Sequence, residues 1–309
     1  MQNEGIKKMK LTWKSFDKAK DFIYFHSRPL DRAIFLYYFN GESGENVLVE
    51  LAKFQNQDGG FGNALEPDVR MPDSSVIVTT VGLQILREMG VPQNYYVVKS
   101  AIKYLLDTYI DCKGWELVPS SVDKYPHAPW WNYGGEVATS LNPMAEITGF
   151  FFDYVDLVPK EMIDKLLSMT ILEIDKKTNS MDMHELICCV RFIETKNLPE
   201  EVKPNLIQKL KVIIDSTVAK NPSDWDNYGL KPSMVINSPD SPFADMLAKE
   251  LDVNLDYEIA NQNKDGSWLP NWSWGGLFPE AWTQAEADWK SILTINNLKI
   301  LHKFDRIEK

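Results

Sequence analysis

Two kinds of amphipathic segment alternate along this chain of 309 residues. In one kind, apolar positions recur at three- and four-residue spacing beside a stripe of charge, as with Lys99, Lys103 and Asp107, or Glu201, Lys209 and Lys211. In the other, charge is nearly missing: Ser74 to Leu86 holds no ionisable group, and Leu141 to Phe152 holds only Glu146. The 3.6-residue period of both kinds predicts helices, and the Gly, Pro and Ser punctuation divides them into about twelve. They are expected near residues 13–26 and 29–40, 44–55 and 74–89, 92–109 and 141–154, 159–173 and 179–195, 199–219 and 241–250, then 254–262 and 283–303. Pro92, Pro159, Pro199 and Pro242 suit first helical positions, with Ser241 as a cap.

A helix with a charged stripe belongs at a surface, whereas one apolar over most of its circumference must be buried over most of it. Pairing the two kinds in chain order predicts an all-α fold. The expected architecture is a single (α/α)6 toroid over residues 1–309, with the charge-poor helices as an inner layer and the charged ones as a concentric outer layer. The connections leading into charge-poor helices are long, at residues 56–73, 110–140, 220–240 and 263–282, while returns such as Gly90-Val91 are short. Long loops in a compact domain usually carry function, and in this arrangement they gather at one rim.

The chain also repeats itself. Gln55-Asn56-Gln57-Asp58-Gly59-Gly60-Phe61 returns as Gln262-Asn263-Lys264-Asp265-Gly266-Ser267-Trp268, each after one helical segment and before another, and Asp111-Cys112-Lys113-Gly114-Trp115 is a fainter third copy. Asp and Gly in this pattern are turn formers, and the aromatic can cover a helix end, so Asp58 and Asp265 are assigned to structure. The pattern resembles the repeat of the terpenoid cyclase and protein prenyltransferase superfamily, whose members fold as α/α toroids. The resemblance implies that fold and an isoprenoid or other apolar small-molecule substrate. The family's chemical signatures are mostly missing: there is no Asp-x-Asp-Asp acid motif, and the nearest approach to a zinc site is His184-x-x-x-Cys188 with Asp182 close by. No metal or other cofactor is assigned.

Composition narrows the partners. A formal charge of −11 disfavours nucleic acid and anionic membrane surfaces, which require concentrated Lys and Arg. No stretch reaches membrane-spanning length, the first residues lack the apolar core of a secretory signal, and three cysteines build no disulfide framework, so the expected compartment is the cytoplasm.

The loops hold the candidate chemistry. Trp268 to Trp289 contains Trp272, Trp274 and Trp282 with Glu280, Glu286 and Asp288; Pro126 to Glu136 contains His127, Trp130 and Trp131; Asp224 to Tyr228 contains Trp225 and Asp226. Indole faces stack on sugars and attract cations, so Trp130, Trp131, Trp225, Asp226, Tyr228, Trp272, Trp274, Trp282 and His127 are candidate contacts for either a carbohydrate or a carbocation. With only four histidines, acid/base work falls to carboxylates, and Glu66, Asp68, Glu136, Glu280 and Glu286 are the candidates. Two carboxylates in a partly apolar site can divide the acid and base roles, as glycoside hydrolysis needs; protonating an alkene needs one such acid. The rival reading from another class is a non-catalytic scaffold that holds a peptide or partner domain, with its acids scattered and solvated.

Overall fold

The computed structural model of the protein describes residues 8–135, 137 and 139–308. These form twelve α-helices: α1 (Trp13–His26), α2 (Pro29–Asn40), α3 (Gly44–Ala52), α4 (Val76–Glu88), α5 (Tyr96–Asp107), α6 (Leu141–Asp153), α7 (Lys160–Lys176), α8 (Met183–Ile193), α9 (Lys203–Thr217), α10 (Pro232–Val235), α11 (Ala248–Ala260) and α12 (Pro279–Lys303). Only isolated bridges, and no β-strand, occur among the described residues. None of the described helices is long and apolar enough to cross a membrane.

The starts follow local chemistry. The hydroxyl of Thr12 accepts from the N–H of Ser15, that of Ser75 from Val78, and the carboxylate of Asp182 from His184 and Glu185, each satisfying orphan donors of a first turn. One expected helix is absent. Residues 241–250 do not form a helix of their own: Ser241 accepts from Phe243, a 3-10 turn covers Ala244–Leu247, and α11 then runs unbroken through residues 250–254. Its place after α9 is taken by the single turn α10, whose Pro232 sits at the first helical position inside the loop expected at residues 220–240.

The chain divides into two compact units, one comprising Met1–Ser43, Val218–Trp272 and Glu286–Lys309, the other Gly44–Thr217 and Ser273–Ala285. In the second unit α6 packs against α4, α7 and α8, α5 lies on α4, and α9 lies on α8. The charge-poor helices are the broadly buried ones: eleven of the thirteen residues of α6 are buried, whereas α5, α7 and α9 each bury a single stripe such as Leu206, Leu210, Ile213 and Ile214. In the first unit α1 packs on α2, and α10 on α11. The chain ends meet there, with Leu11 N–H donating to the Arg306 carbonyl at 2.7 Å and Glu308 N–H to the Leu11 carbonyl at 3.0 Å. Arg306, 1% exposed, donates to the Met9 carbonyl at 2.6 Å and pairs with Asp252 and Asp256.

The two clear repeats fold alike. Gln55 Nε2 donates to the Gly59 and Val97 carbonyls, each at 2.9 Å, and Gln262 Nε2 donates to the Gly266 and Ser15 carbonyls at 3.0 and 2.9 Å. Gly59 and Gly266 both have φ +91°, and a Cβ on either would lie within 2.4 Å of the backbone of Ser100 or Lys18. Asp58 Oδ1 accepts from the N–H of Gly60 and the hydroxyl of Ser74; Asp265 Oδ1 accepts from the N–H and the hydroxyl of Ser267. Where the second repeat has Ser267, the first has Gly60, and a Cβ there would collide at 2.6 Å with Ser74, the residue that supplies the missing hydroxyl. The N–H groups of Phe61 and Trp268 then bond the hydroxyls of Thr79 and Thr294. The third copy keeps the backbone bonds of the turn, with the Ile110 N–H on the Gly114 carbonyl at 2.8 Å as the Asn56 N–H is on that of Gly60, and it keeps the aromatic: Trp115 donates its indole N–H to the carbonyl ten residues earlier, as Trp268 does, but Cys112 replaces the aspartate with φ +58°.

Candidate functional site

Three loops of the second unit meet around a group of indoles. Residues 68–70 run antiparallel to residues 126–128, with the Ala128 N–H on the Asp68 carbonyl at 2.9 Å and the Arg70 N–H on the Pro126 carbonyl at 3.2 Å. Trp274 is fully buried and donates its indole N–H to Asp68 Oδ1 at 2.8 Å. Trp274 packs with Ala128 and Ala285, and Trp131, Ala281 and Trp282 close around them, the Trp274 and Trp282 rings lying 5.6 Å apart. The indole N–H of Trp131 is buried with no acceptor among the described residues. Glu66 and Asp68 are 8% and 3% exposed, an unusual state for carboxylates.

Local backbone strain accompanies this arrangement. Asn63 and Ala64, just before Leu65-Glu66-Pro67-Asp68, both adopt positive φ, and so does Phe278, whose ring approaches that of His127 at 5.8 Å. A left-handed conformation costs a residue with a Cβ about 1–2 kcal/mol, and such strain concentrates where function fixes geometry. His127 is buried, with Nδ1 2.7 Å from the Tyr125 carbonyl and Nε2 2.9 Å from Asn132 Oδ1, so its ring is oriented on both edges. Trp130, Leu277 and Phe278 leave large apolar surface exposed beside the cluster. Glu280 is exposed on the first turn of α12, and Glu136 lies outside the described residues.

The remaining candidates belong to the first unit. Trp225 is buried and anchors its loop through its indole N–H on the Ala219 carbonyl at 2.7 Å. Asp226 is exposed and accepts from the hydroxyl of Tyr257; partial burial and then that bond push the Tyr257 phenol above its ordinary range. Tyr228 meets Trp272 edge-on at 5.9 Å, Trp272 meets Trp289 at 5.1 Å, and the Trp272 indole N–H is buried without an acceptor among the described residues. Glu286 is half-buried on α12.

Two polar clusters were not singled out by sequence reasoning. Glu146, 2% exposed on α6, accepts from Gln84 of α4 at 3.1 Å and from Arg191 of α8 at 3.1 Å, tying three adjacent helices together. Its signal in the sequence was its isolation, the one charge in an otherwise apolar helix. In the first unit Lys231 pairs with Glu258 at 3.0 Å, below Asn254, which accepts from the Ser233 N–H. The pair His184 and Cys188 does not form a metal site: His184 is half-exposed on Asp182, whereas Cys188 is buried and its thiol, pushed up by burial, lies 3.6 Å from Asn142 Oδ1. Among the described residues no three His, Cys, Asp or Glu side chains are placed to share a metal ion. Comparison with family models and with curated proteins finds no match.

Proposed function

We propose that the chain is an (α/α)6 toroid of the type found in terpenoid cyclases and protein prenyltransferases, and that it is an enzyme using carboxylate acid/base chemistry in the Trp131–Trp274–Trp282 cluster. The ring reading is supported by the repeats: Gln55 reaches forward to the start of α5, and Gln262 reaches the start of α1, the correspondence a ring of helix pairs would require.

The observation that carries the catalytic reading is the burial of Glu66 and Asp68 behind a strained loop, with Asp68 oriented by the indole N–H of Trp274. A carboxylic acid in such a setting can protonate a substrate, a neighbouring carboxylate can stabilise the cation formed, and indole faces shelter positive charge from water. Asp68 is assigned to proton transfer, Glu66 to its partner role and His127 to positioning. The exposed rim of Trp130, Leu277 and Phe278 favours an apolar, isoprenoid-like substrate over a carbohydrate. A thermal-shift panel of prenyl diphosphates against oligosaccharides tests this: stabilisation by saccharides alone removes the isoprenoid reading. On the substrate so found, Asp68→Asn should lower kcat by about a hundredfold or more, the ordinary contribution of a positioned acid. Full turnover by both Asp68→Asn and Glu66→Gln would leave a binding protein.

A further inference from the structure

The proposed acids are covered. At 8% and 3% exposure, Glu66 and Asp68 meet no substrate unless something moves. Residues 129–133, which bring Trp131 onto the Ala128–Trp274–Ala285 cluster, are lightly held. None of them is buried, although His127 and Ala128 just before them are. We infer that residues 129–133 form a lid, turning between Ala128 and Gly134, that lifts Trp131 to uncover Trp274 and the Asp68 carboxylate bonded to it. What the lid serves rests on the acid/base reading of this site; whether it moves does not.

The indoles set Trp131 apart. Trp115, Trp225, Trp268 and Trp274 are buried, and each donates its N–H to an acceptor at 2.7–2.8 Å. Trp131 encloses its N–H with no acceptor among the described residues. A donor shut away from both water and protein destabilises the arrangement that encloses it, and lifting the ring returns the N–H to water. The ties that oppose lifting are peripheral. The Tyr133 N–H donates to Asp123 Oδ1 at 3.1 Å, and Asn132 Oδ1 lies 2.9 Å from His127 Nε2. Asp123 and Asn132 are both exposed, so water competes for each bond. The bonds from the Trp131 and Asn132 N–H groups to the Ala128 and Pro129 carbonyls lie within the segment and its hinge and can travel with it. The two ends differ as a hinge requires. Before the lid, the bonds of Ala128 with Asp68 and of Arg70 with Pro126 fix the backbone; after it, a Cβ at Gly134 would meet nothing within 4 Å. Segments with little burial and solvent-exposed bonds open at far lower free energy than a core.

Hydrogen exchange of the indole N–H groups, followed by NMR on the full chain carrying isotope-labelled tryptophan, tests the lid without any substrate. The Trp131 and Trp274 protons should exchange together, at least about tenfold faster than that of Trp115, a buried indole of the same unit. Asn132→Ala, at an exposed position, should speed Trp131 and Trp274 by about fivefold or more and leave Trp115 unchanged. Replacing Trp131 by the benzothienyl analogue of tryptophan, with sulfur in place of N–H, keeps the ring's shape and removes the donor, so Trp274 should slow by about fivefold or more. Exchange of Trp274 in step with Trp115, no response to Asn132→Ala, or faster exchange with the benzothienyl ring would each overturn the lid. If the lid opens as expected while Asp68→Asn keeps full turnover, the lid stands and the catalytic assignment alone falls.

Discussion

Trp274 and Asp265 show how single side chains decide between structure and chemistry. Trp274 has no exposed surface and spends its one donor on Asp68 Oδ1. Trp274→Phe keeps most of the apolar contact and deletes the donor, leaving a buried carboxylate oxygen short of one partner. The expected cost is about 1–3 kcal/mol, read as a lower urea midpoint at unchanged m-value. Asp265 belongs to a turn. Partial burial pushes its carboxyl up, but the hydroxyl and N–H of Ser267 and the Lys290 ammonium outweigh burial and hold it below the ordinary carboxylate range. A folded pKa below the unfolded one means that the unfolded chain binds the proton more readily. The stabilisation is therefore present above the unfolded pKa, about 3.9, and is lost as pH falls through the folded value. Wild type should exceed Asp265→Asn in Tm at pH 7, with the gap closing below about pH 4; a gap that widens in acid would contradict the assignment.

At the scale of the element, the repeat turn is a joint between a helix end and the backbone of another helix. Gly266 combines φ +91° with a Cβ direction that runs into the backbone at Lys18, so Gly266→Ala combines two penalties. Gly90 has φ +66° and open space around its Cβ direction, so Gly90→Ala bears only the conformational one. The expected losses are about 1 kcal/mol for Gly90→Ala and about 3 kcal/mol or more for Gly266→Ala, measured by chemical denaturation. Equal losses would mean that the turn can draw back from α1. The same logic explains where the sequence misled about elements: Ser241-Pro242 has the chemistry of a helix start, but the turn it opens lasts only to Leu247, and α11 takes up the remaining residues.

For the whole molecule, the meeting of the chain ends is the feature most open to test. Arg306 is buried, bonds the Met9 carbonyl and faces Asp252 and Asp256 on α11. Arg306→Ala removes the cation between two carboxylates and frees the pairing of Leu11 with residues 306–308. Amide exchange should therefore quicken at residues 9–11 and 306–308, while a protected terminus in that variant would place the holding contacts elsewhere. Much of this architecture was legible beforehand for a local reason. Charge-poor stretches such as 74–86 and 141–152 cannot be solvated as helices, and a Gln-Asp-Gly turn has few conformations, so the all-helical class, most helix positions and the turn role of Asp58 and Asp265 follow from nearest-neighbour chemistry. What lay beyond the sequence depends on residues far apart in it. That Trp274 bonds Asp68, that Ser74 stands in for the hydroxyl Gly60 lacks, and that Glu146 joins Gln84 and Arg191 are outcomes of packing, because a side chain's partner across many tens of residues is set only when the helices between them have docked.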